Sequence, residues 1–286
     1  AQPATRRPFL FAHRGGGGIL PEETLPTLLA AEARDAAAIV EFDVHRSRDG
    51  HLVVIHDASV NRTTNGQGRV ADLTLGELQA LDAGYCASPG KGDGTASAAD
   101  CQAPADPTLP ALFPFRGAGL RIATLDEVLA ALSRQTFISI EVKAPGFERQ
   151  FADTMRASGR LDHLVTGSED DDVAVRLEDL LPEAAHYLPR AAATCLALTA
   201  KLALDYQGCP QFDVFASPLA GAGLALDTGG VLRAAHRRGM VVIYWTINDE
   251  PTMERLFRLG ADGIFTDYPD RGRQVVERLR VAGELP

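Results

Sequence analysis

Glu41 and Asp43 are separated only by Phe42 in the run Ile39-Val40-Glu41-Phe42-Asp43-Val44. If that run is a strand, side chains alternate across it, so both carboxylates point to one face and Phe42 to the other. A large apolar Phe42 belongs under a covering layer of helices, which leaves the two acids facing an opening. Two anions a few ångströms apart repel, and burial raises the cost. A hard cation resolves the conflict. Glu141, in the run Phe137-Ile138-Ser139-Ile140-Glu141-Val142-Lys143, is placed to supply a further oxygen ligand. Three carboxylates with no cysteine nearby favour Mg2+ or Ca2+ over zinc. The alternative is a salt-bridge network in which Arg14 and Lys143 neutralise the acids without a metal.

Lys143 shares a face with Glu141, so it either neutralises the carboxylates or holds an anionic ligand. Arg14 has the planar fork that binds phosphate or carboxylate in two places. A phosphate held among Arg14, Lys143 and a divalent cation is therefore a consistent picture. His13 and His56 supply the side chain best matched to proton transfer near neutral pH. One can deprotonate an attacking hydroxyl while the other protonates a leaving oxygen. His45, His51, His163, His186 and His236 lack comparable neighbours and read as structural or exposed. Gly15-Gly16-Gly17-Gly18 lacks the trailing Lys-Ser/Thr of a nucleotide-binding loop and reads as close backbone approach near the site. Trp245 either stacks on an apolar part of a ligand or fills the top of the fold.

Such residues need a scaffold that brings distant segments to one place. Short apolar runs at 9–12, 39–44, 137–143, 164–166, 186–188, 213–216, 241–245 and 262–266 read as strands, with 52–55 forming a hairpin on the second. Helical patterns fall between them at about 24–35, 124–133, 147–158, 170–180, 195–205, 228–238 and 251–258, the second opening on a Thr124–Glu127 capping box. Strand and helix alternating eight times predict a parallel sheet closed into a TIM (β/α)8 barrel. The candidate residues then sit where barrel enzymes keep their chemistry, at the carboxyl ends of the strands. The whole of 1–286 reads as one barrel domain, with 84–121, rich in Gly, Ala, Pro, Ser and Asp, as an insertion on its rim.

The 286 residues carry 28 Lys and Arg against 38 Asp and Glu, a net charge of −10, with 45% hydrophobic residues. An acidic chain lacks the dense basic face that sequence-independent nucleic-acid binding requires. No apolar run reaches the roughly 18 residues of a membrane span, so no stable membrane insertion is expected. Four cysteines remain, and the expected pairing is local, Cys86 with Cys101 and Cys195 with Cys209. Each bridge would close a loop of about 15 residues, worth roughly 3 kcal/mol. The alternative is four free thiols. The start Ala1-Gln2-Pro3-Ala4 resembles a mature end left after signal-peptide removal. Together these predict an oxidising compartment, periplasmic or secreted.

The ordered pieces resemble the glycerophosphodiester phosphodiesterase family. They are His13-Arg14-Gly15, Pro21-Glu22-Glu23-Thr24, Glu41-Phe42-Asp43-Val44, Asp49-Gly50, Val53-Val54-Ile55-His56-Asp57, Asn61-Arg62-Thr63-Thr64, Gly68 and Glu77-Leu78. Glu141-Val142-Lys143, Trp245-Thr246-Ile247-Asn248 and Gly260 to Asp267 continue the series, which spans about residues 9–270. The resemblance implies a TIM barrel with an insertion after the hairpin of the second strand, where 84–121 lies. It implies metal-dependent hydrolysis of a small-molecule glycerophosphodiester to an alcohol and glycerol 3-phosphate. It further implies Glu41, Asp43 and Glu141 as metal ligands, His13 and His56 as acid and base, and Arg14 and Lys143 as phosphate contacts. Glu22 corresponds to a glutamate of the first loop on the metal side, and Glu23 stands where the family usually has Asn. Rival expectations are a related barrel phosphodiesterase acting on lipid head groups, with Leu109, Leu112, Phe113 and Phe115 as an entry patch, and a non-catalytic binder of phosphate ligands.

Overall fold

The computed structural model describes residues 8–35, 38–88, 90, 101, 113–202, 212–221 and 223–285. β1 (Phe9–Ala12), β2 (Ile39–Arg46), β4 (Ile138–Val142), β5 (Leu164–Gly167), β6 (Ala185–His186), β7 (Val214–Ser217), β10 (Val241–Tyr244) and β11 (Gly263–Thr266) pair in parallel. Their order around the sheet is β6-β5-β4-β2-β1-β11-β10-β7. A parallel bridge from Tyr187 to Val214 closes the ring between β6 and β7. β3 (Leu52–Val54) lies antiparallel on β2, with Val44 opposite Val54. β8 (Ala220–Gly221) and β9 (Leu224–Ala225) form a separate small hairpin after β7.

Nine helices among the described residues accompany the strands: α1 (Leu25–Arg34), α2 (Leu75–Gln79), α3 (Leu125–Ala131), α4 (Glu148–Ser158), α5 (Asp171–Leu180), α6 (Arg190–Lys201), α7 (Gly229–Arg237), α8 (Glu250–Leu259) and α9 (Pro269–Val281). The expected barrel is therefore present, with two corrections. The helix expected at 195–205 begins five residues earlier in sequence, at Arg190, because Pro189 occupies its N-cap and an alanine run follows; residues 203–205 lie outside the described residues. The closing helix α9, which completes the last strand–helix unit, was not anticipated, although Pro269 marks its first turn.

Alternation along the strands divides the core into two layers. Val40, Phe42 and Val44 face outward and share a buried cluster with Leu28, Leu125 and Val128 of the helices. Phe11, Ile39, Val241, Ile243 and Phe265 face inward and fill the barrel, with the Phe11 and Phe265 rings stacked at 4.5 Å. Phe42 is fully buried, as its placement between two acids requires. Capping boxes at Thr74–Glu77 and Thr124–Glu127 start α2 and α3, the second as the sequence indicates.

Cys86 and Cys101 are bridged, with Cα atoms 5.1 Å apart. Cys195 is also disulfide-bonded; Cys209 lies outside the described residues, as do Ala1 to Ala4, Leu109 and Leu112. Of the stretch 84–121, the amides of Cys86 and Gly90 donate to the carbonyls of Thr63 and Gly18 at 3.4 and 3.0 Å, and other described parts hold to one another. Arg116 stacks over the rings of Tyr85 and Phe113 at 4.1 and 3.8 Å and donates to the carbonyl of Cys101.

The outward layer gives a test. Phe42→Ala is expected to destabilise the protein by about 3–5 kcal/mol in chemical denaturation, whereas Phe42→Leu costs less than about 1.5 kcal/mol.

Candidate active site

The barrel interior ends in polar groups on the carboxyl side of the strands. They line one cavity of about 520 Å³, whose walls include His13, Arg14, Glu41, Asp43, His56, Glu141, Tyr187 and Trp245.

His13 follows β1 in a single 3₁₀ turn, His13–Gly15. The register sets Ala12 opposite Thr266, so the next residues, His13 and Asp267, lie side by side. His13 Nδ1 donates to Asp267 Oδ1 at 2.6 Å. Asn248, beyond β10, holds Asp267 at two points: its Nδ2 donates to the carboxylate oxygen Oδ2 at 2.6 Å, and its Oδ1 accepts from the Asp267 backbone amide at 2.9 Å. Nδ1 is thereby committed and Nε2 is left for the cavity. Burial works to lower the His13 pKa, but the bond to Asp267 and the charge of Glu41 outweigh it, and the pKa is raised. The glycine run holds this turn in place by close packing. Gly15 has φ 77° and lies against Leu28 and Thr27, while a Cβ on Gly18 would come within 2.5 Å of the Tyr268 ring.

His56 comes from the hairpin. The Ile55 amide donates to the carbonyl of Asp43 at 3.1 Å, which folds the end of β3 back over β2. His45 Nε2 donates to the carbonyl of His56 at 3.1 Å, so this neighbouring imidazole has the structural role expected of it. His56 Nδ1 donates to Asp57 Oδ1 at 2.7 Å. Arg62 locks Asp57 with a two-pronged contact at 2.8 and 3.0 Å and reaches both oxygens of Glu22 at 2.6 and 2.8 Å. Glu22 therefore joins Arg62 to Arg14, whose Nη1 donates to it at 3.1 Å.

Between the histidines stand the acids. Asp43 and Glu141 are directly opposite in the β2–β4 register. Lys143 Nζ lies 3.1 Å from Glu141 Oε1 and 3.5 Å from Asp43 Oδ1, and donates to His56 Nε2 at 3.3 Å. Arg14 approaches Asp43 Oδ2 at 3.9 Å, and its amide donates to Glu41 Oε2 at 2.7 Å. Arg14 and Glu23 both have positive φ, 51° and 62°, in the loop that delivers them. Glu23 Oε2 accepts from the Asp43 amide at 3.2 Å, so a fourth carboxyl group enters the cluster.

Burial and the nearby Asp43 charge push Glu41 up to about 8 and Glu141 up to about 7. Burial also raises Glu23 well above the usual carboxylate range. Asp43 resists burial because Lys143, His56 and Arg14 surround it, and its pKa is lowered. Among the described residues no group of three or more His, Cys, Asp or Glu side chains is already arranged to hold a metal ion. In this arrangement Lys143 and Arg14 carry the neutralising charge. The donor set nonetheless fits a hard cation. Neither oxygen of Asp43 nor Oε1 of Glu23 receives a well-formed hydrogen bond, although all are buried.

The structure thus brings together His13, His56, Arg14, Glu41, Asp43, Glu141 and Trp245 at one cavity. Lys143 is not among the lining residues; it touches the acids and His56, taking the neutralising role. Glu22 is held by two arginines. Five side chains of this network had no role assigned from sequence: Glu23, Asp57, Arg62, Asn248 and Asp267. Asp267 carried a usable signal, since it immediately follows a strand at the active end of the barrel.

The chain matches the glycerophosphoryl diester phosphodiesterase family over residues 13–271. It is 30% identical over 270 residues to a glycerophosphodiester phosphodiesterase of Bacillus subtilis, covering 92% of this chain and 85% of that one. It is 29% identical over 274 residues to the glycerophosphodiester phosphodiesterase of Caldanaerobacter subterraneus subsp. tengcongensis, covering 92% and 95%. A phosphodiesterase of Oleispira antarctica, solved in complex with the product sn-glycerol-3-phosphate, superposes with a TM-score of 0.67 at 25% identity, covering 95% of this chain and 97% of that one. A family match spanning nearly the whole barrel, including both histidines and the three acids between them, makes this chain a member of the glycerophosphoryl diester phosphodiesterase family.

Proposed function

We propose that the protein hydrolyses glycerophosphodiesters to an alcohol and sn-glycerol 3-phosphate, with His13 as general acid and His56 as general base. The observation that carries this reading is the pair of imidazoles at one cavity, each fixed through Nδ1 by its own carboxylate, on either side of an Arg14-bearing charged cluster. The relatives' names and the product-bound neighbour support the substrate class.

Roles follow from the partners. The short bond to a buried Asp267 favours the charged form of His13, which leaves an Nε2 proton to give. His56 donates its Nδ1 proton to Asp57, which leaves the lone pair on Nε2; once a bound phosphate draws Lys143 away from Nε2, that lone pair can take a proton from an attacking hydroxyl. As that oxygen, from water or from the glycerol 2-hydroxyl, bonds to phosphorus, the bond to the departing alcohol breaks and His13 protonates the alcohol oxygen; a cyclic phosphate formed by the 2-hydroxyl is then opened by water to glycerol 3-phosphate. Arg14 binds the non-bridging oxygens and opposes the charge that builds on them. Glu41, Asp43 and Glu141, with Glu23 beside them, would hold a divalent cation, Mg2+ or Ca2+. When bound, that ion supplies Lewis-acid stabilisation of the phosphoryl oxygens. Residence in an oxidising compartment is part of the same proposal, supported by the Cys86–Cys101 bridge.

His13→Ala and His56→Ala should each lower kcat on glycerophosphocholine by about 10²–10⁴-fold with little change in Tm. Near-wild-type turnover in both would refute the assignment. Asp267→Asn removes the charge that raises the His13 pKa. Its alkaline limb of kcat against pH should therefore move to lower pH, with kcat down about 100-fold. An unmoved limb would assign Asp267 a purely structural role. Adding Mg2+ or Ca2+ to chelator-treated protein should raise Tm by about 4–5 °C at a hundredfold excess over Kd. Asp43→Asn should lose that rise, and EDTA should abolish turnover. If EDTA changes neither Tm nor rate, Lys143 and Arg14 are the only neutralising charges.

A further inference from the structure

The cavity mouth is divided across its diameter. β1, β2 and β4 with the hairpin contribute every residue of the proposed chemistry, and β6, β7 and β10 contribute the other side. That other side is apolar: Leu188, Ala197, Pro218, Leu224, Leu226 and Trp245 form its wall. Thr246 apart, its hydroxyls are committed elsewhere, that of Tyr187 to Ser139 at 2.7 Å. Ser168 donates to the carbonyl of Val142, Thr194 to that of Arg190 and Ser217 to that of Pro218. Its two charged groups, Glu169 and Arg190, pair with each other at 3.3 Å. The wall also continues outward. Leu198 lies one helical turn beyond the lining residue Thr194 on α6 and is 45% exposed, and Trp245 is 39% exposed at the mouth.

A polar alcohol would find few hydrogen-bond partners in this half and a cationic one only the Trp245 face and Glu169, whereas the glycerol hydroxyls and the phosphate are matched by the acids and Arg14 opposite. We infer that the second alcohol of the substrate carries an alkyl chain, which lies along α6, the β8–β9 hairpin and Trp245 while glycerol phosphate occupies the charged half. This inference rests on the hydrolase reading above and specifies its substrate class.

The test is a series of glycerophosphate esters of ethanol, butanol, hexanol and octanol, with glycerophosphocholine alongside. Removing a methylene from water at such a wall should raise kcat/KM roughly two- to fourfold per added carbon between ethyl and hexyl. Leu224→Glu, on an exposed hairpin, should cut the octyl-to-ethyl ratio by about tenfold or more, and Leu224→Ser should cut it less. A flat or falling series, or a preference for glycerophosphocholine over the octyl ester, would overturn the inference. Calorimetry with ethyl, hexyl and octyl phosphate reads the same slope without turnover. Protein that binds octyl phosphate tightly but cleaves none of the diesters would sink the hydrolase reading and leave the apolar site standing.

Discussion

Buried negative charge is the constraint around which this barrel is organised. Strand alternation forces Glu41 and Asp43 onto one face, and parallel register sets Glu141 against Asp43. Unopposed, such a group would be expelled or protonated. The surroundings answer with cations from two separate segments: Arg14 from the first loop and Lys143 just beyond β4. The partial neutralisation of Glu41 and Glu141 records how incompletely those cations offset burial. A centre of this kind is poised for a ligand that brings both positive charge and phosphate oxygens.

The two histidines are held by different means, and the difference sets what each can do. His13 depends on a carboxylate that is itself clamped by Asn248, so its ring is fixed through a chain of three side chains from β1, β10 and β11. His56 depends on Asp57, whose charge is shared with Arg62, and its other nitrogen meets an ammonium. The first ring is biased towards keeping a proton, and the second turns its Nε2 to the charged cluster.

Much of this was legible in the sequence for simple reasons. Runs such as Ile39–Val44 and Val241–Trp245 are β-branched and short, and the alternation of Phe42 with two acids fixes which way each points. The contacts that escaped are those between residues far apart in the chain. His13 and Asp267 meet only because Ala12 registers with Thr266, and no local pattern encodes that register. Lys143 meets His56 only because Ile55 folds onto Asp43. Helix α6 was displaced because its alanine-rich start carries no amphipathic stripe, leaving Pro189 as the sole marker.

The ring of strands is unevenly knit. β2 and β4 share five paired positions and β1 and β11 four, while β6 is two residues long and meets β7 through an isolated bridge. The loosest joint, β6 to β7, lies in the apolar half, although β7 and β10 pair there over four positions and β1 and β2 pair over only two in the charged half. A change at the joint between β6 and β7 can shift the wall that Leu188 and Pro218 carry, while His13 and Asp267 stay side by side through the four paired positions of β1 and β11.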